Sequence, residues 1–183
     1  MADIDVHQVV KNQITEFKRD LWGDEFAHKI SKITLEWGGI EFLLFWILRS
    51  IDFKSASRWE QLLFKPRAFQ ARKDIVFEQV SSAVRISYPQ YVDRLMTQFD
   101  LLQTIQHRRN LLAHGLWLKG SSDRTFSIQP LSLDNAKSVE TPVEIDMGYL
   151  VALVEDIERL KIGLSSLVSE MLAHQQLKKW GRR

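Results

Sequence analysis

Two seams constrain this chain more than any other feature. Ile30, Ile33, Trp37, Ile40, Leu44, Ile47 and Ile51 recur at alternating spacings of three and four, and Leu150, Leu153, Ile157, Leu160, Leu164, Leu167 and Met171 do the same. That period places every member on one side of an α-helix, whereas a strand would scatter them over both faces. Two long helices, each burying one stripe, therefore form the frame. In the first, Phe42, Leu43, Phe45 and Trp46 fall off the seam, so its C-terminal half is apolar nearly all round. It must be covered on two sides, at a central position or at a subunit interface.

Weaker patterns fill in the rest. Val6, Val10, Ile14, Phe17 and Leu21 outline a shorter helix that Gly23 can end, with Asp24 placed to cap the next. Residues 52–65 are polar and irregular, with a turn of helix expected around Trp59 to Phe64. Pro66 suits the first turn of a further helix, which runs to about Ile86 and stops before Ser87-Tyr88-Pro89, because a residue preceding proline resists the helical region. Val92, Leu95, Phe99, Leu102, Gln106, Arg109, Ala113 and Leu116 mark another long helix, with Gly115 placed for a left-handed cap. From Leu116 the pattern alternates around Gly120-Ser121-Ser122-Asp123 and reads as a small β-hairpin, an insertion over about residues 116–146. The last helix is expected from Gly148 to about Leu177. No repeat or low-complexity linker divides these elements. The expectation is a single all-α domain over residues 1–183: an antiparallel four- to five-helix bundle with a small β-hairpin inserted before the last helix.

Composition narrows the function classes. With no Cys, the chain has no thiolate zinc site, disulfide scaffold or cysteine nucleophile. The longest strictly apolar run, Phe42 to Leu48, is far short of the ~20 residues a membrane helix needs. The acidic start Met1-Ala2-Asp3-Ile4-Asp5 leads into no signal-like apolar core, so the cytoplasm is the expected compartment and no membrane partner is expected. A net charge of +2, from 25 basic and 23 acidic residues, names no partner by itself.

One segment breaks its own pattern. On a helical wheel with Leu95 at zero, Leu102 falls near about −20°, Ala113 near 0°, Leu116 near about −60° and Arg109 near about −40°, inside the apolar stripe. A guanidinium there needs an anion, because an unpaired buried charge is costly. Asn110 and His114 come out on the edge of the stripe, so Arg109 and His114, about 140° apart, would flank a groove. Two readings stand side by side. Arg109 and His114 form a phosphate-handling pair at a helix end; or Arg109 is paired internally with a carboxylate such as Glu36 or Glu41, and His114 is a terminal residue favoured by the helix dipole.

The run Arg108-Arg109-Asn110-Leu111-Leu112-Ala113-His114-Gly115 resembles the signature of the HEPN superfamily (higher eukaryotes and prokaryotes nucleotide-binding): an Arg, often followed by Asn, with a His four to six residues further on, closing a long helix of a bundle. The resemblance implies a homodimer in which the motif helices of two protomers face one another across a shared cleft, and cleavage of RNA without a metal ion or other cofactor. Arg109 and His114 would be the catalytic pair, with Asn110 orienting them or the phosphate. A neutral His114 would take the ribose 2′-hydroxyl proton, Arg109 would stabilise the charge gained by the phosphate, and the products would be a 2′,3′-cyclic phosphate and a 5′-hydroxyl. Single-stranded RNA is the implied substrate, and the implied role is a toxin or phage-defence effector restrained by a separately encoded antitoxin or regulatory protein. The alternative is a non-catalytic helical module that binds a nucleotide or RNA, or acts as a scaffold, in which the same residues hold an anion.

Other residues weigh less. Arg108 and Trp117, which flank the pair, are the candidate substrate contacts, Trp117 as a stacking platform. Glu36 and Glu41 are expected to be solvated or structurally paired. His107 and His114 share a helix face but are separated by about 10 Å of rise, too far for one metal ion, and no metal site is expected. His7, His28 and His174 have no partner spacing and are expected at the surface. Trp37 and Trp46 are expected in the core. The basic tail Lys178-Lys179-Trp180-Gly181-Arg182-Arg183 reads as a frayed, solvated terminus, with RNA phosphates as its other possible contact.

Overall fold

A computed structural model describes residues 24–51, 57, 59–61, 69–122, 125–130 and 141–180. The helix expected over Val6–Leu21 and the tail side chains from Lys178 onward lie outside the described residues. The chain is mostly helical, with one small antiparallel sheet. Helix α1 spans Asp24–Ile51, α2 Phe69–Ser87, α3 Val92–His114 and α4 Met147–Trp180. Residues 59–61 are helical, where a short turn was expected around Trp59. A 3-10 turn, Pro89–Tyr91, joins α2 to α3.

Both seams are buried. Ile33, Trp37, Ile40, Leu44 and Ile47 line the inside of α1, and Leu150, Leu153, Ile157, Leu160, Leu164, Leu167 and Met171 line α4. The residues off the first seam divide: Phe45 is buried, while Phe42 is 54% exposed and rests edge-on against Trp46. α4 begins at Met147, one residue earlier than its glycine suggests, because Asp146 caps it by accepting the Tyr149 N–H at 2.7 Å on Oδ1.

The expected hairpin is present with one strand more. β1 (Leu116–Lys119) and β2 (Phe126–Gln129) pair antiparallel, Leu116 opposite Gln129 and Lys119 opposite Phe126. β3 (Val143–Ile145) then pairs antiparallel with β2, Phe126 opposite Ile145, giving the order β1-β2-β3. Three residues are too short to show alternation in a sequence, so this strand is a correction to the two-stranded reading. Ser121, in the β1–β2 turn, donates its N–H to Glu144 of β3 at 2.9 Å, which ties the turn to the far edge.

The chain forms two compact units: Met1–Thr34 with Gln106–Glu155, and Leu35–Ile105 with Asp156–Arg183. The first holds the sheet, the end of α3 and the start of α4; within it Phe26 meets Phe126 edge to face, with ring centroids 4.8 Å apart. The second carries most of the helical core and its ion pairs. Arg72 grips Glu41 with two hydrogen bonds of 3.0 Å, Lys161 pairs with Glu36, and Arg94 reaches Glu170 at 2.7 Å. Glu36 and Glu41 are thus structural partners of other cations. Gln175 donates to the carbonyls of Ser50 and Ile51 and so satisfies the C-terminal end of α1. His174, expected at the surface, is half-buried with its ring edge-on to Tyr88 at 5.4 Å; the 3-10 turn brings the tyrosine inward.

Among the described residues, Glu170 is held below its ordinary range by the Arg94 guanidinium and Ser166, and Glu144 by hydrogen bonds from Ser121. A depressed folded value means that the stability each contributes is present above the ordinary carboxylate range and is lost as pH falls through the folded value. Glu170→Gln is therefore expected to lower the urea midpoint slightly at neutral pH, with the difference from wild type closing as the pH is lowered through the carboxylate range. A difference that stays constant with pH would show that the charge is not its cause.

Candidate functional site

The site is built by the way α3 stops. Along most of its length the helix buries Leu95, Phe99, Leu102 and Ile105, as the pattern requires. Over the last two turns the buried side shifts to Leu111 and Leu112, while Ala113 and His114 are exposed and Leu116 is 51% exposed. The apolar stripe predicts Ala113 and Leu116 inside, and the structure exposes both. The first unit buries a different side of the helix end from the one the wheel extends to, moving from Leu102 near about −20° to Leu112 near about −100°. Arg109 consequently is half-buried rather than fully inward, as is Asn110.

The helix end is closed by two donors. Gly115 donates its N–H to the Leu111 carbonyl at 2.9 Å, and the Trp117 indole Nε1–H donates to the Leu112 carbonyl at 3.0 Å. These satisfy two carbonyls that the last turn would otherwise leave without partners. Gly115 does not take the left-handed conformation expected of it; its requirement is space. A Cβ there would collide with Ile128 of β2 and stand 2.6 Å from the Leu111 carbonyl oxygen. The Trp117 ring is half-buried, with its centroid 5.9 Å from that of Phe126.

Arg109 and Asn110 are brought together: Arg109 Nη1 donates to Asn110 Oδ1 at 3.3 Å. The bond orients the carboxamide so that its two N–H donors remain beside a guanidinium that carries five. His114, four residues beyond Asn110, is the last residue of α3 and is exposed. Donors and one imidazole thus occupy a single helix end, a combination suited to an anion with a transferable proton nearby. Arg108 is turned elsewhere. Its guanidinium lies 4.6 Å from the centre of the Tyr149 ring and its Nη2 donates to the Tyr149 carbonyl at 3.1 Å, which binds α3 to the first turn of α4. Among the described residues no group of His, Asp and Glu is arranged to hold a metal ion.

Sequence reasoning missed two contributors. Asp146, the cap of α4, fixes the turn against which Arg108 lies, and an Asp before an apolar seam is a recognisable start signal. Trp117 was read only for its ring face, whereas its N–H closes the motif helix. No protein-family model, curated protein or solved structure matches the chain.

Gly115→Ala is expected to cost about 1–3 kcal/mol, since backbone as well as Ile128 must move to admit the methyl group. Urea unfolding checks this, and an unchanged midpoint would show that the helix end has room to spare.

Proposed function

We propose that this chain is a metal-independent endoribonuclease of the HEPN type, acting as a homodimer on single-stranded RNA in the cytoplasm. The observation that carries the proposal is the Arg109–Asn110 hydrogen bond at the end of α3, with an exposed His114 closing the same helix. It joins two residues of the motif, and the third lies one turn further along the same helix. Glu36 and Glu41 pair with Lys161 and Arg72. In this reading the helices pack as an antiparallel bundle, and two copies of α3 face each other across a twofold axis, so that Arg109 and His114 from both protomers line one cleft.

The chemistry then follows from the groups. His114 removes the 2′-hydroxyl proton, the oxygen attacks the neighbouring phosphorus, and the P–O5′ bond breaks as the departing oxygen takes up a proton from water, leaving a 2′,3′-cyclic phosphate and a 5′-hydroxyl while His114 returns its proton to solvent. Arg109, steadied by Asn110, stabilises the negative charge that accumulates on the phosphoryl oxygens. Trp117 offers a ring face for stacking but no N–H for reading a base, because Leu112 uses it. A nuclease of this kind acts on its own host's RNA, which fits a toxin or phage-defence effector restrained by a separately encoded protein.

The test is incubation of the purified chain with end-labelled single-stranded RNA in EDTA. Cleavage to cyclic-phosphate ends is expected, with His114→Ala lowering the rate by about 10²–10⁴-fold and Arg109→Ala by about 10²–10³-fold. Cleavage insensitive to both substitutions, or RNA that remains intact, would overturn the proposal. Intact RNA that is nonetheless bound would favour the non-catalytic binding module.

A further inference from the structure

A second histidine shares the exposed side of α3 with His114. His107 is exposed, lies seven residues before His114, and is rotated from it by only about 20°, so the two stand almost in line along the axis, roughly 10 Å apart by helical rise. Asn110, already bonded to Arg109, lies between them. The spacing that is too long for one metal ion, or for two groups on one phosphate, suits a strand. A stacked nucleic acid strand advances about 3.4 Å per nucleotide, so about 10 Å spans roughly three phosphates.

The charge pattern agrees. Between Asp100 and Asp123 the sequence contains no carboxylate, while it contains His107, Arg109, His114 and Lys119 besides the Arg108 that lies on Tyr149. A phosphate chain laid along α3 from His114 towards His107 therefore meets no acidic side chain belonging to that segment. An imidazole N–H donates to a phosphate oxygen whether the ring is neutral or charged, so His107 serves in either state.

We propose that His107 contacts a phosphate two or three nucleotides away from the one beside His114, so that a single RNA strand runs along the exposed face of α3. This rests on the reading of that helix end as an RNA site, and it deepens it. The ligand is an oligonucleotide with several phosphates, in preference to a dinucleotide or a free nucleotide. His107 is a binding residue of a neighbouring subsite and takes no part in bond breaking.

The experiment measures binding of uncleavable, all-deoxy oligouridylates of two, three and five nucleotides to the full chain by fluorescence anisotropy. Kd is expected to fall about tenfold between two and five nucleotides, the scale of one added charge-assisted hydrogen bond. His107→Ala is expected to remove that gain and His107→Arg to restore it, while the exposed His28→Ala keeps it. No gain with length in the wild type, or a gain that survives His107→Ala, overturns the inference. An all-ribose pentanucleotide run in parallel judges the nuclease reading separately. A His107-dependent gain without cleavage keeps the strand track and sinks the nuclease, and cleavage without that gain does the reverse.

Discussion

The candidate site depends on one constraint, the closure of α3 at Gly115. A helix that ends inside a fold must find partners for its last carbonyls, and here a backbone N–H and the Trp117 indole supply two of them. The absence of a side chain at residue 115 lets Ile128 of β2 come up against the turn, so the helix passes directly into β1. His114 is consequently the last helical residue and is exposed, while Leu111 and Leu112 are buried. The same closure rotates the buried side away from Ala113 and leaves Arg109 and Asn110 at half depth, where donors can be both held and reached.

The surrounding unit holds that end in place by polar ties as much as by packing. Asp146 caps α4, Arg108 lies on Tyr149 in the first turn of that helix, and Glu144 draws in the turn between β1 and β2 through Ser121. Two adjacent arginines therefore have separate tasks. Arg108 is spent on the scaffold, and Arg109 is oriented with Asn110. In the proposed reaction this division matters, because a guanidinium that stabilises a transition state must be positioned before charge appears.

Much of this was legible in the sequence because long periodic patterns survive local accidents. The seams from Ile30 to Ile51 and from Leu150 to Met171 were legible in full; the second is buried throughout, and the first is buried except at Ile30 and Ile51, which are half-buried. The alternation after Leu116 gave the hairpin, but Val143-Glu144-Ile145 is too short to announce a strand. Arg109, Asn110 and His114 stood out because a charge interrupted an apolar stripe. What could not be read was the point at which that stripe stops being the buried side. This depends on β2, which lies more than ten residues further along, and a helical wheel carries no term for it. Gly115 was likewise chosen by the proximity of Ile128 and not by backbone conformation, a tertiary cause that local rules mistake for a cap.

The central claim is that residues of two protomers meet in one cleft, and subunit mixing tests it most directly. Arg109→Ala and His114→Ala chains, each inactive alone, are unfolded together, refolded and assayed on single-stranded RNA in EDTA. If the cleft is shared, mixed dimers carry one intact Arg109 and one intact His114 facing each other, and cleavage returns. A mixture that stays as inactive as its parts, beside a wild type refolded in the same way that cuts RNA, would contradict the account.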